Sequence, residues 1–264
     1  MAVALAHTDQ GVGRPVLVLH GLFGSAANWM AVTRRLAQQF RVFALDLRNH
    51  GASPWAERMD YHAMAEDVAT FIAAQGLGSA AILGHSMGGK AAMVLALTEP
   101  ALVERLVVVD IAPVPHPPTH TAYVEAMRGL DLRGVTRRGA ADALLRPHIP
   151  DDAERLFLLQ NLVPGPEGMR WRLNLDAILA DMAALSGFPD FAPGVHYRGP
   201  TLLVRGERSP YVAEGDLPIF RRLFPTVRPV TIARAGHWVH ADRTEEFLAA
   251  VTPFLAGDTA EDAP

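Results

Sequence analysis

Residues 84–89, with the sequence GHSMGG, constrain the fold of this chain more than any other stretch. An apolar run, residues 80–83, precedes them, and a run of helix-compatible residues, 90–97, follows. A strand, a sharp turn and a helix in this order, with Gly-x-Ser-x-Gly at the turn, are typical of a nucleophile elbow. Small residues are needed there because the serine backbone is strained and its neighbours approach closely. We therefore predict that Ser86 is a nucleophile rather than an ordinary helix N-cap.

Composition and charge limit the class of protein. A chain of 264 residues that is 50% hydrophobic suits one α/β domain with a modest insertion. A net charge of −4 without blocks of like charge does not favour nucleic acid or an anionic membrane as a partner. Without cysteines there is no disulfide framework, thiolate metal site or Cys nucleophile. No signal peptide or membrane-spanning run is recognisable, so we expect a soluble cytoplasmic protein that is a monomer or homodimer.

Several other apolar runs predict buried strands of a parallel sheet. They are residues 15–19, 41–45, 105–109, 201–204 and 227–232. Apolar residues at helical spacing predict helices over residues 29–39 and from residue 64 to about 76, and a closing helix over about 244–255.

The strand–helix alternation stops between residues 114 and 199. This segment opens with three prolines and continues with helical patterns, and no strand is predicted in it. An insertion after the strand that ends at Asp110 would lie over the carboxyl edge of the sheet as a lid. We predict an α/β core over residues 1–113 and 200–256, a helical cap over 114–199 and a disordered tail over 257–264.

A serine nucleophile needs a base, which we assign to His237. When the triad occurs in the order Ser, acid, His, the base comes late and lies on a loop at the carboxyl edge. His237 follows Gly236 and the last predicted strand, and so meets both conditions. His240 is the alternative, but it lies where the closing helix is about to begin.

The acid that would orient His237 is the open point of the site. In most enzymes of this design it lies three residues beyond a glycine after the strand that follows the cap, and here that position holds Ser209. A hydroxyl cannot stabilise an imidazolium as a carboxylate does. Among Glu207, Asp242 and Asp110, we favour Asp110, at the end of the strand after the elbow helix, as the acid. Ser209 is then expected to hydrogen-bond within the same network.

The loop after the first predicted strand is expected to complete the site. We assign the oxyanion donors to the backbone N–H groups of Leu22 and Met87, with Phe23 as the alternative to Leu22. Phe23, Trp238 and His20 are the candidate substrate-contacting residues, although a supporting role in the loop suits His20 better. No metal ligand or cofactor-binding motif is expected.

Two more groups of residues have a structural and a functional interpretation. Asp46, Arg48 and His50 follow the second predicted strand, and we expect them to brace their loop rather than touch substrate. Large apolar residues of the insertion could line an acyl pocket, but their helical spacing favours the core of the cap. They are Phe157, Leu158, Met169, Trp171, Met182 and Phe188.

The combination of these motifs resembles the α/β-hydrolase esterases of the bacterial YbfF type, to which the mammalian abhydrolase-domain-11 proteins are similar. The motifs are HGLFGS at 20–25, DLRNHGAS at 46–53, GHSMGGK at 84–90, VDIAP at 109–113 and GHWVHAD at 236–242. The resemblance extends over residues 14–255, including the cap. It implies a doubly wound sheet of about eight strands, a small helical cap, an acid at Asp110 and a serine at Ser209.

The residues and the resemblance together predict a serine carboxylesterase that needs no cofactor. Its substrates would be small acyl esters and, by extension, acyl-CoA thioesters. The same fold also supports carbon–carbon bond hydrolysis and perhydrolysis of the haloperoxidase type, which the fold alone does not distinguish. A non-catalytic ligand-binding module is the remaining alternative.

Overall fold

The computed structural model describes residues 1–258, in which seven strands form the main sheet. The strands are β1 (His7–Gln10), β2 (Pro15–Leu19), β3 (Arg41–Leu45), β4 (Ala80–His85), β5 (Val103–Val109), β8 (Thr201–Gly206) and β9 (Val227–Ile232). Their order is β1-β3-β2-β4-β5-β8-β9, and all neighbours are parallel except β1 and β3. The resemblance implied a sheet of about eight strands, and the main sheet of the described residues contains seven. The sequence did not indicate β1, because this short strand is largely exposed and lacks an apolar run.

Helices cover both faces of the sheet. They are α1 (Met30–Leu36), α2 (Tyr61–Ala74), α3 (Met87–Thr98), α9 (Leu217–Leu223), α10 (Val239–Asp242) and α11 (Thr244–Ala256). Alternate residues of one strand belong to different cores: Leu17 and Leu19 pack with α2, α3 and α9, while Val16 and Val18 pack with α1 and α11. This division explains why β2 is apolar at successive positions, as expected for a parallel strand buried on both faces.

The segment between β5 and β8 contains a β-hairpin as well as helices. The helices are α4 (Thr121–Gly129), α5 (Arg138–Leu145), α6 (Asp152–Leu159), α7 (Leu175–Ala180) and α8 (Met182–Ser186), and the hairpin strands are β6 (Leu162–Gly165) and β7 (Gly168–Trp171).

The prediction that this segment contains no strand was therefore wrong, although helices make up most of it. The hairpin strands are four residues long and include Pro164 and two glycines, so no alternating apolar pattern marks them. At the turn, Gly168 has φ 147°, and a Cβ there would lie 2.3 Å from the Leu132 carbonyl oxygen. The hairpin thus depends on close packing with a distant loop. The division of the chain at residues 114 and 199 into core and cap stays a prediction.

Lys90 ties this inserted segment to the helix that follows the elbow. Its buried ammonium donates to the carbonyl oxygens of Val114 (2.9 Å), Ser186 (3.2 Å) and Gly187 (2.6 Å). Burial lowers the pKa of Lys90 to about 7. An ammonium has three N–H donors, so each is satisfied, and the start of the insertion and the end of α8 are held on α3.

The sheet brings the predicted site residues to one edge. Ser86 follows β4, Asp110 follows β5 and His237 follows β9, so all three lie beyond the carboxyl ends of parallel strands. Ligands bind at this edge in open α/β sheets.

The closing helix α11 ends at Ala256 and is followed by Gly257 in the left-handed conformation, φ 82°, as a C-cap. Residues 259–264, most of the predicted disordered tail, lie outside the described residues. Within residues 1–258, no helix combines the length and the apolar character needed to cross a bilayer.

A first prediction concerns the glycines around the elbow. A Cβ at Gly88 would lie 2.5 Å from the carbonyl oxygens of Leu19 and His20, so Gly88→Ala must push α3 away from β2. We expect a loss of about 3 kcal/mol in the free energy of unfolding, measured in urea, as for severe overpacking. Gly78→Ala is the matched control, since a Cβ there meets nothing within 4 Å, and it should be neutral or slightly stabilising. Equal effects of the two substitutions would contradict this account.

Candidate active site

The Ser86 backbone has the geometry expected of an elbow. Its φ of 51° and ψ of −118° are unfavourable for a side chain with a Cβ. The neighbouring glycines allow this turn: a Cβ at Gly84 would lie 2.3 Å from the Gly88 carbonyl oxygen. From residue 80 to residue 97, Ser86 alone is not buried. The turn thus presents one hydroxyl at the N-terminus of α3.

Asp110 and His237 meet at the same edge of the sheet. The Asp110 side chain is fully buried, and its Oδ2 accepts a hydrogen bond of 2.7 Å from Nδ1 of His237. Oδ2 also accepts from the Ser209 hydroxyl, and Oδ1 accepts from the Gly206 N–H at 2.9 Å. A buried carboxylate is stable only when its oxygens are paired in this way. The bond to Asp110 fixes the His237 tautomer with its proton on Nδ1, and so leaves Nε2 as the free, basic nitrogen.

Two aromatic residues fix the position of His237. The Tyr211 ring stacks on the imidazole with centroids 4.0 Å apart and an angle of 25°. The His85 Nε2–H donates to the backbone carbonyl of His237 at 2.9 Å. His85 is the residue immediately before Ser86, so this bond joins the elbow directly to the loop of His237.

The alternative acids and the alternative base are engaged elsewhere. Glu207 accepts from the Arg234 N–H at 2.7 Å, and Asp242 accepts from the Gly236 N–H at 2.7 Å. His240 is buried and stacks on Trp29 at 3.9 Å. Asp242 therefore braces the loop that carries His237, in keeping with its place in α10.

The loop after β2 is held by two histidines and one asparagine. His50 Nε2 accepts from the Phe23 N–H at 3.1 Å, which removes Phe23 as an oxyanion donor and favours Leu22. His20 donates from Nδ1 to the Gly21 carbonyl (2.8 Å) and accepts at Nε2 from the Leu47 N–H (2.9 Å). Both His20 nitrogens are thus occupied by backbone, and neither is left for a substrate. From the inserted segment, the buried Asn161 amide donates to the Phe23 carbonyl at 2.7 Å.

Asp46 and Arg48 also make internal contacts. Asp46 accepts from the N–H groups of Ala26 (2.7 Å) and Ala52 (2.8 Å), and Arg48 forms a buried ion pair with Asp67 (2.6 Å). These bonds brace the loops after β2 and β3.

Several buried imidazoles around the site are neutral. Burial lowers the pKa of His20 to about 4 and that of His50 to about 3. Burial likewise lowers the pKa of His120 to about 4 and of His240 to about 3, and shifts that of His85 well below its usual value. Since His20 and His50 each use one ring nitrogen as an acceptor, protonation would also break a backbone hydrogen bond.

Two cavities meet at Ser86. The Trp238 cavity, about 620 Å³ including the part open to solvent, is lined by Phe23, Phe157, His237 and Trp238 among others. The three predicted substrate-contacting residues, Phe23, Trp238 and His20, all line this cavity together with Ser86, although both ring nitrogens of His20 are bound to backbone.

The second cavity, the Met182 cavity, is smaller. It encloses about 450 Å³, again including open space, and is lined by Tyr61, Met87, Met182 and Leu185 among others. Leu22 and His120 line both cavities. Of the apolar residues named above for the cap, Phe157, Leu158 and Met182 thus line one of the two cavities at Ser86.

Sequence analysis missed three residues that position the site: Tyr211, His85 and Asn161. Tyr211 and Asn161 lie in loops without a local pattern, and only the tertiary path brings them near His237 and Phe23. His85 lies inside the elbow motif, so its proximity to Ser86 could have been recognised. Its hydrogen bond to the His237 carbonyl could not have been recognised, because that contact depends on the tertiary path.

The chain matches the family model of the α/β-hydrolase fold over residues 14–244. It is 41% identical to an sn-1-specific diacylglycerol lipase, ABHD11, of Xenopus laevis, over 92% of this chain and 80% of the relative. It is 35% identical to the esterase YbfF of Escherichia coli, over 94% of this chain and 95% of the relative. A solved structure of a marine microorganism esterase superposes with a TM-score of 0.92 at 34% identity, covering 96% of this chain and 100% of the other.

A second prediction follows from the buried histidines. Their pKa values are lower in the folded than in the unfolded chain, so their stabilising contribution is complete above pH 6.5 and is lost as the pH falls towards 4. A shift from 6.5 to 4 corresponds to about 2 kcal/mol per histidine at pH 5. The free energy of unfolding, measured in urea, should therefore be clearly lower at pH 5 than at pH 7.5.

The variant His20→Gln should reduce this difference between the two pH values by about 2 kcal/mol. His148→Gln, at an exposed position, is the control and should leave the difference as in the parent. A stability that does not change between pH 7.5 and pH 5 would show that the imidazoles are not held neutral by the fold.

Proposed function

We propose that this chain, which belongs to the α/β-hydrolase fold family and is a carboxylic ester hydrolase, cleaves acyl esters through an acyl-enzyme intermediate on Ser86. The observation that carries the proposal is the hydrogen bond of 2.7 Å from His237 Nδ1 to the buried Asp110 carboxylate. His237 also lines the same cavity as Ser86. An imidazole oriented by a carboxylate, in the same cavity as a serine hydroxyl, supports the role of general base.

In acylation, His237 removes the Ser86 proton while Oγ attacks the acyl carbonyl carbon. The carbonyl oxygen becomes an oxyanion, which the N–H groups of Leu22 and Met87 stabilise. Loss of one such donor costs about 2.7–4 kcal/mol of transition-state stabilisation. When the intermediate collapses, the carbon–oxygen bond to the leaving group breaks, and His237 gives its proton to the departing alcohol.

In deacylation, His237 removes a proton from the water that attacks the acyl carbon. The bond from this carbon to Ser86 Oγ then breaks, His237 returns the proton to Oγ, and the carboxylic acid leaves. Asp110 stabilises the imidazolium in both half-reactions. Ser209 donates to the oxygen of Asp110 that also faces His237, so it helps to hold this carboxylate in place. We assign Ser209 a positioning role.

The substrates are small-molecule esters. We propose in addition that acyl thioesters react, because their tetrahedral intermediate needs the same oxyanion donors and the thiol leaves readily. We further propose that the protein is cytoplasmic, needs no cofactor and does not associate stably with a membrane. Its oligomeric state would be a monomer or a homodimer. The name of the Xenopus laevis relative makes diacylglycerol a substrate to include in an activity panel.

The variant Ser86→Ala tests the nucleophile. It should lower turnover of p-nitrophenyl butyrate by at least about 10³-fold and abolish labelling by a fluorophosphonate probe, because the Ser86 hydroxyl forms the covalent bond in both reactions. The rate of ester hydrolysis and the intact mass after labelling are the measurements. Labelling at full strength in S86A would exclude Ser86 as the nucleophile.

The variant pair Asp110→Asn and Glu207→Gln tests the acid. Asp110→Asn should lower kcat by roughly 10²–10⁴-fold because the imidazole loses its orienting carboxylate. Glu207→Gln is the matched control, an isosteric change at a carboxylate that contacts the Arg234 amide, and should retain activity within about threefold. A larger effect of E207Q than of D110N would refute the assignment.

A further inference from the structure

The two cavities that meet at Ser86 differ in their relation to His237. His237 lines the Trp238 cavity and, among the described residues, does not line the Met182 cavity. Tyr211 stacks on the imidazole and lines the Met182 cavity, so its ring stands between His237 and that space. Met87, whose N–H is an assigned oxyanion donor, lines the Met182 cavity instead.

This asymmetry decides which half of an ester each cavity receives. In the tetrahedral intermediate, the central carbon carries Ser86 Oγ, the oxyanion, the leaving group and the acyl chain. The leaving group must lie within hydrogen-bond reach of the general acid, about 2.6–3.2 Å from Nε2. It therefore lies in the cavity that His237 lines, and the acyl chain extends into the other one.

We propose that the Met182 cavity is the acyl compartment and the Trp238 cavity is the leaving-group compartment, an assignment that rests on the function proposed above. Tyr61, Met182 and Leu185, all buried, line the acyl compartment. The Tyr61 hydroxyl is fixed by a bond to the Leu185 carbonyl. This compartment is the smaller of the two, about 450 against 620 Å³, so the shorter half of the ester fits it better.

The acyl compartment also selects a neutral chain. Lys90 is its cationic wall residue, and all three of its N–H donors are bound to backbone carbonyls. None is left for an anionic acyl group. The leaving-group compartment, in contrast, is lined by the rings of Phe157 and Trp238, which are tilted by 49° with centroids 5.3 Å apart, and it suits a bulky apolar alcohol. The substrate class is thus an ester of a short neutral acid and a large apolar alcohol.

The two half-reactions allow a direct test, because the leaving group has departed before deacylation begins. A residue of the leaving-group compartment affects acylation alone, whereas a residue of the acyl compartment affects both steps. The variants are Met182→Ala and Phe157→Ala. Leu156→Ala, the exposed neighbour of Phe157 on α6, is the matched control and should behave as the parent in every assay.

Two substrate series are compared by kcat/KM: p-nitrophenyl esters from acetate to octanoate, and butyrates of alcohols from methanol to 2-naphthol. Burial of one methylene group changes a binding constant or kcat/KM about fourfold. M182A enlarges the acyl compartment and should therefore raise the octanoate-to-acetate ratio of kcat/KM about tenfold or more. It should leave the ratio of naphthyl to methyl butyrate within about twofold. F157A should lower the naphthyl-to-methyl ratio about tenfold and leave the acyl ratio unchanged.

Decay of the butyryl-enzyme, followed by quenched-flow mass spectrometry, supplies the second measurement. The decay rate should be unchanged in F157A and changed in M182A. If M182A folds poorly by circular dichroism, Met182→Phe replaces it and should lower the octanoate-to-acetate ratio instead.

The assignment is overturned if F157A alters butyryl-enzyme decay, or if M182A shifts the alcohol series but not the acyl series. Failure of the proposed function gives a different result: the parent protein would form no acyl-enzyme, and the S86A variant would still be labelled by the fluorophosphonate.

Discussion

The rest of the site depends on the buried carboxylate of Asp110. Its two oxygens accept hydrogen bonds from Gly206 at the end of β8, from Ser209 in the next loop and from His237 near the end of the chain. A charge removed from water is tolerated only with such partners. The same three bonds therefore stabilise the carboxylate, hold the loops of β8 and β9 against β5, and fix the imidazole.

Much of the core followed from local sequence because its strands are buried on both faces. Continuous apolar runs mark β2, β3 and β5, and the polar residue after such a run lies at the carboxyl edge, as Asp110 does. The elbow was equally readable, since Ser86 lies between closely packed glycines. The order of strands then brings Ser86, Asp110 and His237 together without any further local signal.

The rest could not be read because it depends on the tertiary path. The hairpin of β6 and β7 is too short and too rich in glycine and proline to show a strand pattern. The contacts of Tyr211 with His237 and of Asn161 with Phe23 join residues 26 and 138 positions apart. No periodicity reports such pairs. His85 illustrates the intermediate case, in which the motif gives the residue but not its partner.

Lys90 gives the molecule a built-in reporter of its own opening. It is the one lysine of the sequence, and its amine is bound to carbonyl oxygens from the start of the inserted segment and from the end of α8. An acylating reagent should react with that amine most readily in molecules whose insertion has lifted from α3, because the closed form binds all three of its N–H groups to carbonyl oxygens. The rate of modification at this single position therefore measures how often the roof of the cavity detaches, without any engineered label.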